Sequence, residues 1–182
     1  MRLFIAVQFT RSIRDSLEST QYTLRKHGVK GNFTSPKNFH LTLAFLGEVR
    51  EEQLWRIRKA LASVDAAPFP IGLSKSGRFR DLYWVGLAES PELQSYVDDL
   101  RKELTKHHIW YDKRAFTPHI TILRRGRADH KIVIKVPRKS MMVEKISLMK
   151  SERINGRLVY TEIGSKQLTG NPKRPQEELR EE

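Results

Sequence analysis

The 182-residue sequence contains no cysteine, which removes disulfides, thiolate nucleophiles and cysteine-ligated zinc together. Long apolar runs are missing too. The longest, Leu3 to Val7, is strand-sized, far short of the ~20 residues that a membrane-crossing helix needs. The opening residues, Met1-Arg2-Leu3-Phe4-Ile5, lack the basic, apolar and small-residue order of a secretory signal. The expectation is a cytoplasmic protein with no membrane partner. Acidic side chains are scarce as well. Asp plus Glu is 21 against 34 for Lys plus Arg, a formal charge of +13. Clustered Lys and Arg attract polyanions and release counterions, so a phosphate-rich partner is indicated. A generally basic surface with no dedicated ligand is the plain alternative, and charge alone does not separate RNA, DNA and membrane.

What is present is enough for a core. A hydrophobic content of 38% fits one compact domain, placed at 1–168, followed by a polar, disordered tail at 169–182. Arg2 to Phe9 reads as a buried strand. Thr10 caps a helix through about Lys26, which Gly28 stops. Ser35-Pro36-Lys37-Asn38 is a turn into a strand, Phe39 to Leu46, ended by Gly47. Helical spacing returns over Glu51 to Val64. Phe69 to Leu73 and Leu82 to Leu87 read as strands around a basic loop, Gly77-Arg78-Phe79-Arg80. Ser90-Pro91 opens another helix with Leu93, Val97, Leu100 and Leu104 as its stripe. Thr117-Pro118 introduces a strand, His119 to Leu123, ended by Gly126. Three further strand-like runs follow: Lys131 to Val136, Met142 to Lys150 and Leu158 to Ile163. Short turns and adjacent strands predict an α+β fold with mostly antiparallel sheets and flanking helices.

One pattern occurs twice. His40-Leu41-Thr42-Leu43 and His119-Ile120-Thr121-Ile122 both run His, apolar, Thr, apolar, each with Gly seven residues after the His. At this composition two such matches are a coincidence on the order of one in a thousand. Each follows a strand and a helix, so the chain reads as two lobes on one plan. On a strand, alternate side chains share a face. His40 and Thr42 therefore project together while Leu41, Leu43 and Phe45 face the core, and His119 and Thr121 oppose Ile120 and Ile122. If the lobes face each other, two imidazoles and two hydroxyls converge.

Such a set suits phosphodiester chemistry. In-line displacement needs a base for the nucleophile and an acid for the leaving oxygen, and imidazole serves as either near neutral pH. Threonine hydroxyls donate to the phosphoryl oxygens. A lone histidine on a half-buried strand is ordinarily a structural residue, but matched copies favour a site. Two histidines also begin a zinc site, but neither motif supplies a facing carboxylate, so no metal and no cofactor are expected.

These motifs, with the phrases His40-Leu-Thr-Leu-Ala-Phe-Leu-Gly47 and Pro118-His-Ile-Thr-Ile-Leu-Arg124, resemble the 2H phosphoesterase superfamily and, within it, the RNA 2′,3′-cyclic phosphodiesterase branch (2′-5′ RNA ligase-like proteins). The similarity runs from Leu3 through Tyr83-Trp84-Val85-Gly86-Leu87 to about Gln167. The resemblance implies a bilobal fold with pseudo-twofold symmetry and a central cleft. It implies His40 as proton donor to the leaving 3′ oxygen, His119 as proton acceptor from water, Thr42 and Thr121 as phosphate ligands, and a 2′-phosphomonoester product. The two motifs are too symmetric for spacing to assign donor and acceptor. Arg124 also matches, although strict alternation points it away from the cleft unless the strand ends or bulges. Phe79 and Trp84 are candidates to stack a base, or ordinary core aromatics. His27, His107 and His108 read as helix-end cations and His130 as a loop residue. The expected partner is RNA or a nucleotide bearing a 2′,3′-cyclic phosphate, with no protein partner evident. Hydrolysis of another small cyclic phosphate, reversible 2′-5′ RNA ligation and a non-catalytic RNA-binding module stand as alternatives.

Overall fold

The computed structural model describes residues 1–170; the rest of the expected tail, including Lys173 and Arg174, lies outside the described residues. β1 (Arg2–Gln8) leads into α1 (Arg11–Lys26), β2 (Lys30–Phe33) and β3 (His40–Glu48). α2 (Leu54–Ser63), β4 (Phe69–Phe79), β5 (Leu82–Leu87) and α3 (Pro91–Lys106) follow. β6 (His119–Arg127), β7 (Ser140–Val143), β8 (Lys145–Ile154) and β9 (Arg157–Gln167) complete the order. The strands form two sheets, β3-β1-β8-β9 and β2-β6-β5-β4-β7, and every paired neighbour is antiparallel. This is the expected bilobal α+β architecture. Among the described residues no helix is long and apolar enough to cross a membrane.

The internal repeat extends well beyond the histidine motifs. α1 and α3 are each 16 residues long and begin 80 residues apart. Thr10 and Ser90 cap them alike, each hydroxyl accepting from the backbone N–H three residues on, Ile13 at 3.5 Å and Leu93 at 3.2 Å. Ile13, Leu17 and Leu24 form the buried stripe of α1, as Leu93, Val97, Leu100 and Leu104 do in α3. Burying each such side chain stabilises the fold by about 1.5–3 kcal/mol. The exits match as well. Val29 N–H reaches back to Leu24 C=O (3.1 Å) and Ile109 N–H to Leu104 C=O (2.9 Å), which satisfies the carbonyls of the final turn. The left-handed residue this ending requires is Gly28 (φ 80°) in the first half and His108 (φ 55°) in the second.

The helices cross between lobes. α1 leaves the first sheet and packs behind β6 of the second, while α3 leaves the second sheet and packs behind β3 of the first. The chain after each helix then runs along the foreign strand. β2 pairs with β6, and Asp112 N–H bonds Phe45 C=O at 2.9 Å. Each histidine-bearing strand is thereby braced by the helix of the other half.

Several boundaries differ from the sequence reading. β3 and β6 run through Gly47 and Gly126 to Glu48 and Arg127. Gly47 stays in the strand at φ 66°, a conformation that glycine tolerates. The basic loop at 77–80 is mostly strand, because β4 extends to Phe79 against β5 and only Arg80-Asp81 turns. Residues 131–136 form no strand. Their alternation is real, with Ile134 and Val136 buried, but β7 pairs only with Phe69–Gly72 of β4, and beyond it the segment is held by the Ser76 hydroxyl donating to Ile134 C=O at 3.0 Å rather than by a ladder. The run from Met142 to Lys150 is two strands, β7 in one sheet and β8 in the other. β2 is short and polar and carried no strand signal. Thr169 and Gly170, at the start of the expected tail, hydrogen-bond to Asp65 and Ala66 (3.1 Å each).

Candidate active site

The two histidine strands depart from strict alternation at the same place. Against β1, Ala6 pairs with Thr42 but Ile5 pairs with Ala44, leaving Leu43 as an extra residue. Against β5, Trp84 pairs with Thr121 but Tyr83 pairs with Leu123, leaving Ile122 as the extra residue. Such a bulge reverses which face the following side chains take. Leu43 and Ala44 are consequently both buried, as are Ile122 and Leu123. The residue after each pair, Phe45 or Arg124, returns to the face of its histidine and threonine. This corrects the expectation that Phe45 faces the core, and it places Arg124 where alternation alone would not.

The face so created borders a cavity of about 410 Å³, lined by Thr42 and Phe45 from β3, His119, Thr121 and Arg124 from β6, and Arg101 from α3. His40 adjoins it through Thr42. Both imidazoles are fixed in the same way. His40 Nδ1 lies 2.7 Å from Asn38 C=O and His119 Nδ1 lies 2.8 Å from Thr117 C=O. A carbonyl only accepts, so Nδ1 carries the hydrogen in each ring and Nε2 is left for chemistry. His40 Nε2 meets Thr42 Oγ1 at 2.9 Å. When neutral it accepts from that hydroxyl; when protonated it donates to it.

Their surroundings differ. His40 packs against Phe4 (centroids 4.7 Å apart) and edge-on to Tyr160 (5.1 Å), whereas His119 is exposed. Burial pushes the His40 pKa below its ordinary value. The Asn38 carbonyl opposes this, and the positive fields of Arg124 and His119 lower it further. Burial also raises the Tyr160 phenol, against the pull of Arg124. Tyr160 carried no sequence signal beyond an alternating strand; only the fold brings it to His40. At the cavity wall Arg114 binds the Asp112 carboxylate through Nε at 2.9 and 3.0 Å and holds it well below the usual range.

Phe79 is 68% exposed and pairs with Leu82, which lines the cavity. Trp84 lies on the face of Thr121, its ring spread over Gly77, where an added Cβ would fall 2.1 Å from Trp84 Cζ2. His27 and His107 cap α1 and α3, His108 follows α3, and His130 sits in the 128–134 segment, all away from the motif cavity. Among the described residues no three His, Cys, Asp or Glu side chains gather as a metal-ligand group.

The model of the LigT-like phosphoesterase family matches this chain twice in tandem, over residues 7–83 and 85–160, one match per histidine strand. The chain belongs to that family. An Archaeoglobus fulgidus RNA 2′,3′-cyclic phosphodiesterase is 36% identical over 138 residues, covering 72% of this chain and 77% of the relative. The Escherichia coli RNA 2′,3′-cyclic phosphodiesterase is 29% identical, covering 89% and 93%. The crystal structure of E. coli LigT with 3′-AMP superposes with a TM-score of 0.81 at 28% identity, over 93% of this chain and 98% of that one. As a LigT-like phosphoesterase, the chain carries both motif strands on a fold shared with a nucleotide-binding relative.

Proposed function

We propose that this LigT-like phosphoesterase hydrolyses the 2′,3′-cyclic phosphate at RNA ends to a 2′-phosphomonoester without a metal. Water attacks phosphorus in line with the bond to O3′. His119 Nε2 takes the proton from water, the P–O3′ bond breaks, and His40 Nε2 delivers a proton to O3′. Thr42, Thr121 and Arg124 hold the phosphoryl oxygens, where negative charge builds in the transition state. Phe79, exposed beside Leu82, stacks the terminal base. The observation that carries the reading is the paired anchoring of both imidazoles through Nδ1, which leaves Nε2 of each for chemistry, His119 lining the arginine-bearing cavity and His40 bonded through Nε2 to Thr42 of its wall. The names of the relatives supply the substrate class.

His40 as donor has an electrostatic consequence. In the free protein, burial and the neighbouring cations favour its neutral form, the wrong state for an acid. A bound phosphodiester brings a negative charge beside Arg124 and reverses that bias. The charge of the bound substrate thus favours the protonated acid, which takes its proton from solvent. Product analysis with 2′,3′-cyclic AMP tests the reaction. The expected product is 2′-AMP; 3′-AMP would show that the other ester bond breaks, and an unchanged substrate would sink the proposal.

A further inference from the structure

The bulge at Ile122 is held from behind by a residue far from the chemistry. Gln21 lies on the buried stripe of α1 between Leu17 and Leu24 and is 2% exposed. A carboxamide placed there is costly unless its polar atoms are bonded. Its Nε2 donates twice, to Ile122 C=O at 2.9 Å and to Thr34 C=O at 2.8 Å. Both partners are carbonyls, so the amide orientation is fixed by chemistry: only the NH2 group can face them. Ile122 C=O also accepts from Thr34 N–H at 3.0 Å, and Thr34 Oγ1 donates to Thr121 C=O at 3.1 Å. The extra residue of the bulge and the residue before it are thus tied to α1 and to the segment leading out of β2.

The other half keeps the counterpart of the bond to Thr34 C=O, with different chemistry. Arg101 occupies in α3 the place that Gln21 occupies in α1, and its Nη1 donates to Arg114 C=O at 2.8 Å, the counterpart of Thr34 C=O. Two unlike side chains at one helix position, both donating to the backbone beside a histidine strand, point to a requirement for a donor there rather than for a particular residue.

We propose that Gln21 is a positioning residue for Arg124: by pinning Ile122 C=O it holds the bulge that turns the guanidinium into the catalytic cavity. The inference rests on the reading of Arg124 as a phosphate ligand. Without the pin, β6 is free to regain plain alternation, and Arg124 then rotates toward the buried face of Ile120 and Ile122.

A double-mutant cycle on the intact protein, read as kcat/KM for 2′,3′-cyclic AMP with thermal unfolding in parallel, separates this role from a general structural one. Gln21→Leu is expected to lower kcat/KM on the order of tenfold in the normal background, and less than about twofold when Arg124 is already Ala. Gln21→Asn, too short to reach Ile122 C=O but still polar, gives the same non-additivity should the Leu variant fold poorly. Gln21→Arg, which borrows the donor of the other half, retains activity within about threefold of the parent. Equal losses in both backgrounds, or no loss from Gln21→Asn, would overturn the proposal while leaving Arg124 its role. An Arg124→Ala variant with undiminished activity would overturn the phosphate-binding reading itself, and the proposal with it.

Discussion

Leu43 and Ile122 hold the same place in the two histidine strands, each the extra residue by which its strand bulges against its neighbour. The bulges are equivalent but the residues they re-aim are not: Phe45 in one half, Arg124 in the other. Of the two histidine strands only β6 therefore turns a guanidinium to this face, and the proposed function assigns the phosphate to it. Arg124→Ala is expected to cost about 1.5–3 kcal/mol in kcat/KM, the range for a hydrogen bond to a charged group. Arg124→Lys should recover only part, because an ammonium lacks the planar fork. Steady-state kinetics on 2′,3′-cyclic AMP measures both; equal activity of all three proteins would remove Arg124 from the site.

The environment of His40 predicts a pH signature. Its depressed pKa means that the free protein loses the donor proton at lower pH than an ordinary histidine would. The alkaline limb of kcat/KM, which reports the free enzyme, should lie below that of kcat, which reports the complex with the anionic substrate. Both limbs are macroscopic properties of the histidine pair. Full pH profiles of both parameters decide it. Coincident limbs would mean that substrate does not shift the acid.

The two threonines are not equivalent either. Each hydroxyl deletion, Thr42→Val or Thr121→Val, should cost about 2.7–4 kcal/mol of transition-state stabilisation if it removes an oxyanion-type donor. Thr42 also bonds His40 Nε2 at 2.9 Å, so only Thr42→Val should move the alkaline limb as well. Rates near the parent's in both variants, with intact folding, would assign the hydroxyls to the strand alone.

Much of this site was legible before the fold was known, because histidine and threonine two apart on a strand must share a face. The element order followed from periodicity and capping in the same way. What periodicity cannot register is a bulge. Leu43 and Ala44 are both apolar, as are Ile122 and Leu123, so the change of face leaves no mark in the pattern, and Phe45 was assigned to the wrong side. Tyr160 and Gln21 were invisible for a different reason: their partners, His40 and Ile122, lie about a hundred residues away in the sequence. The alternation at 131–136 misled because burial by a covering loop can have the same period as a strand.

The matched helix ends yield a stability test away from the site. Gly28→Ala puts a Cβ on a left-handed residue with nothing within 4 Å to clash with it, so the cost is conformational, about 1–2 kcal/mol. His108→Gly at the equivalent position should stabilise by up to about 1 kcal/mol, the relief of that strain less the added chain entropy. Urea denaturation of both variants measures the difference. A stabilising Gly28→Ala or a destabilising His108→Gly would show that the two endings are not alike.

If the +13 charge guides RNA, an oligomer ending in a cyclic phosphate should bind with a salt slope of about −0.7 per phosphate neutralised. A cyclic mononucleotide should respond far less. Equal slopes would place the basic surface outside the substrate path.

The central claim is that His119 activates water and His40 protonates the leaving oxygen. Replacing the bridging 3′ oxygen of a 2′,3′-cyclic nucleotide by sulfur tests both halves at once, since a thiolate departs without an acid and the substrate remains a five-membered cyclic ester. On the oxygen substrate, His40→Ala and His119→Ala should each lose roughly 10²–10⁴-fold in rate, the usual contribution of a general acid or base. On the sulfur substrate, His40→Ala should come within about tenfold of the parent, while His119→Ala stays slow because water still needs its base. Rescue of His119→Ala instead would exchange the two roles, and full activity of either variant on the oxygen substrate would contradict two-histidine catalysis altogether.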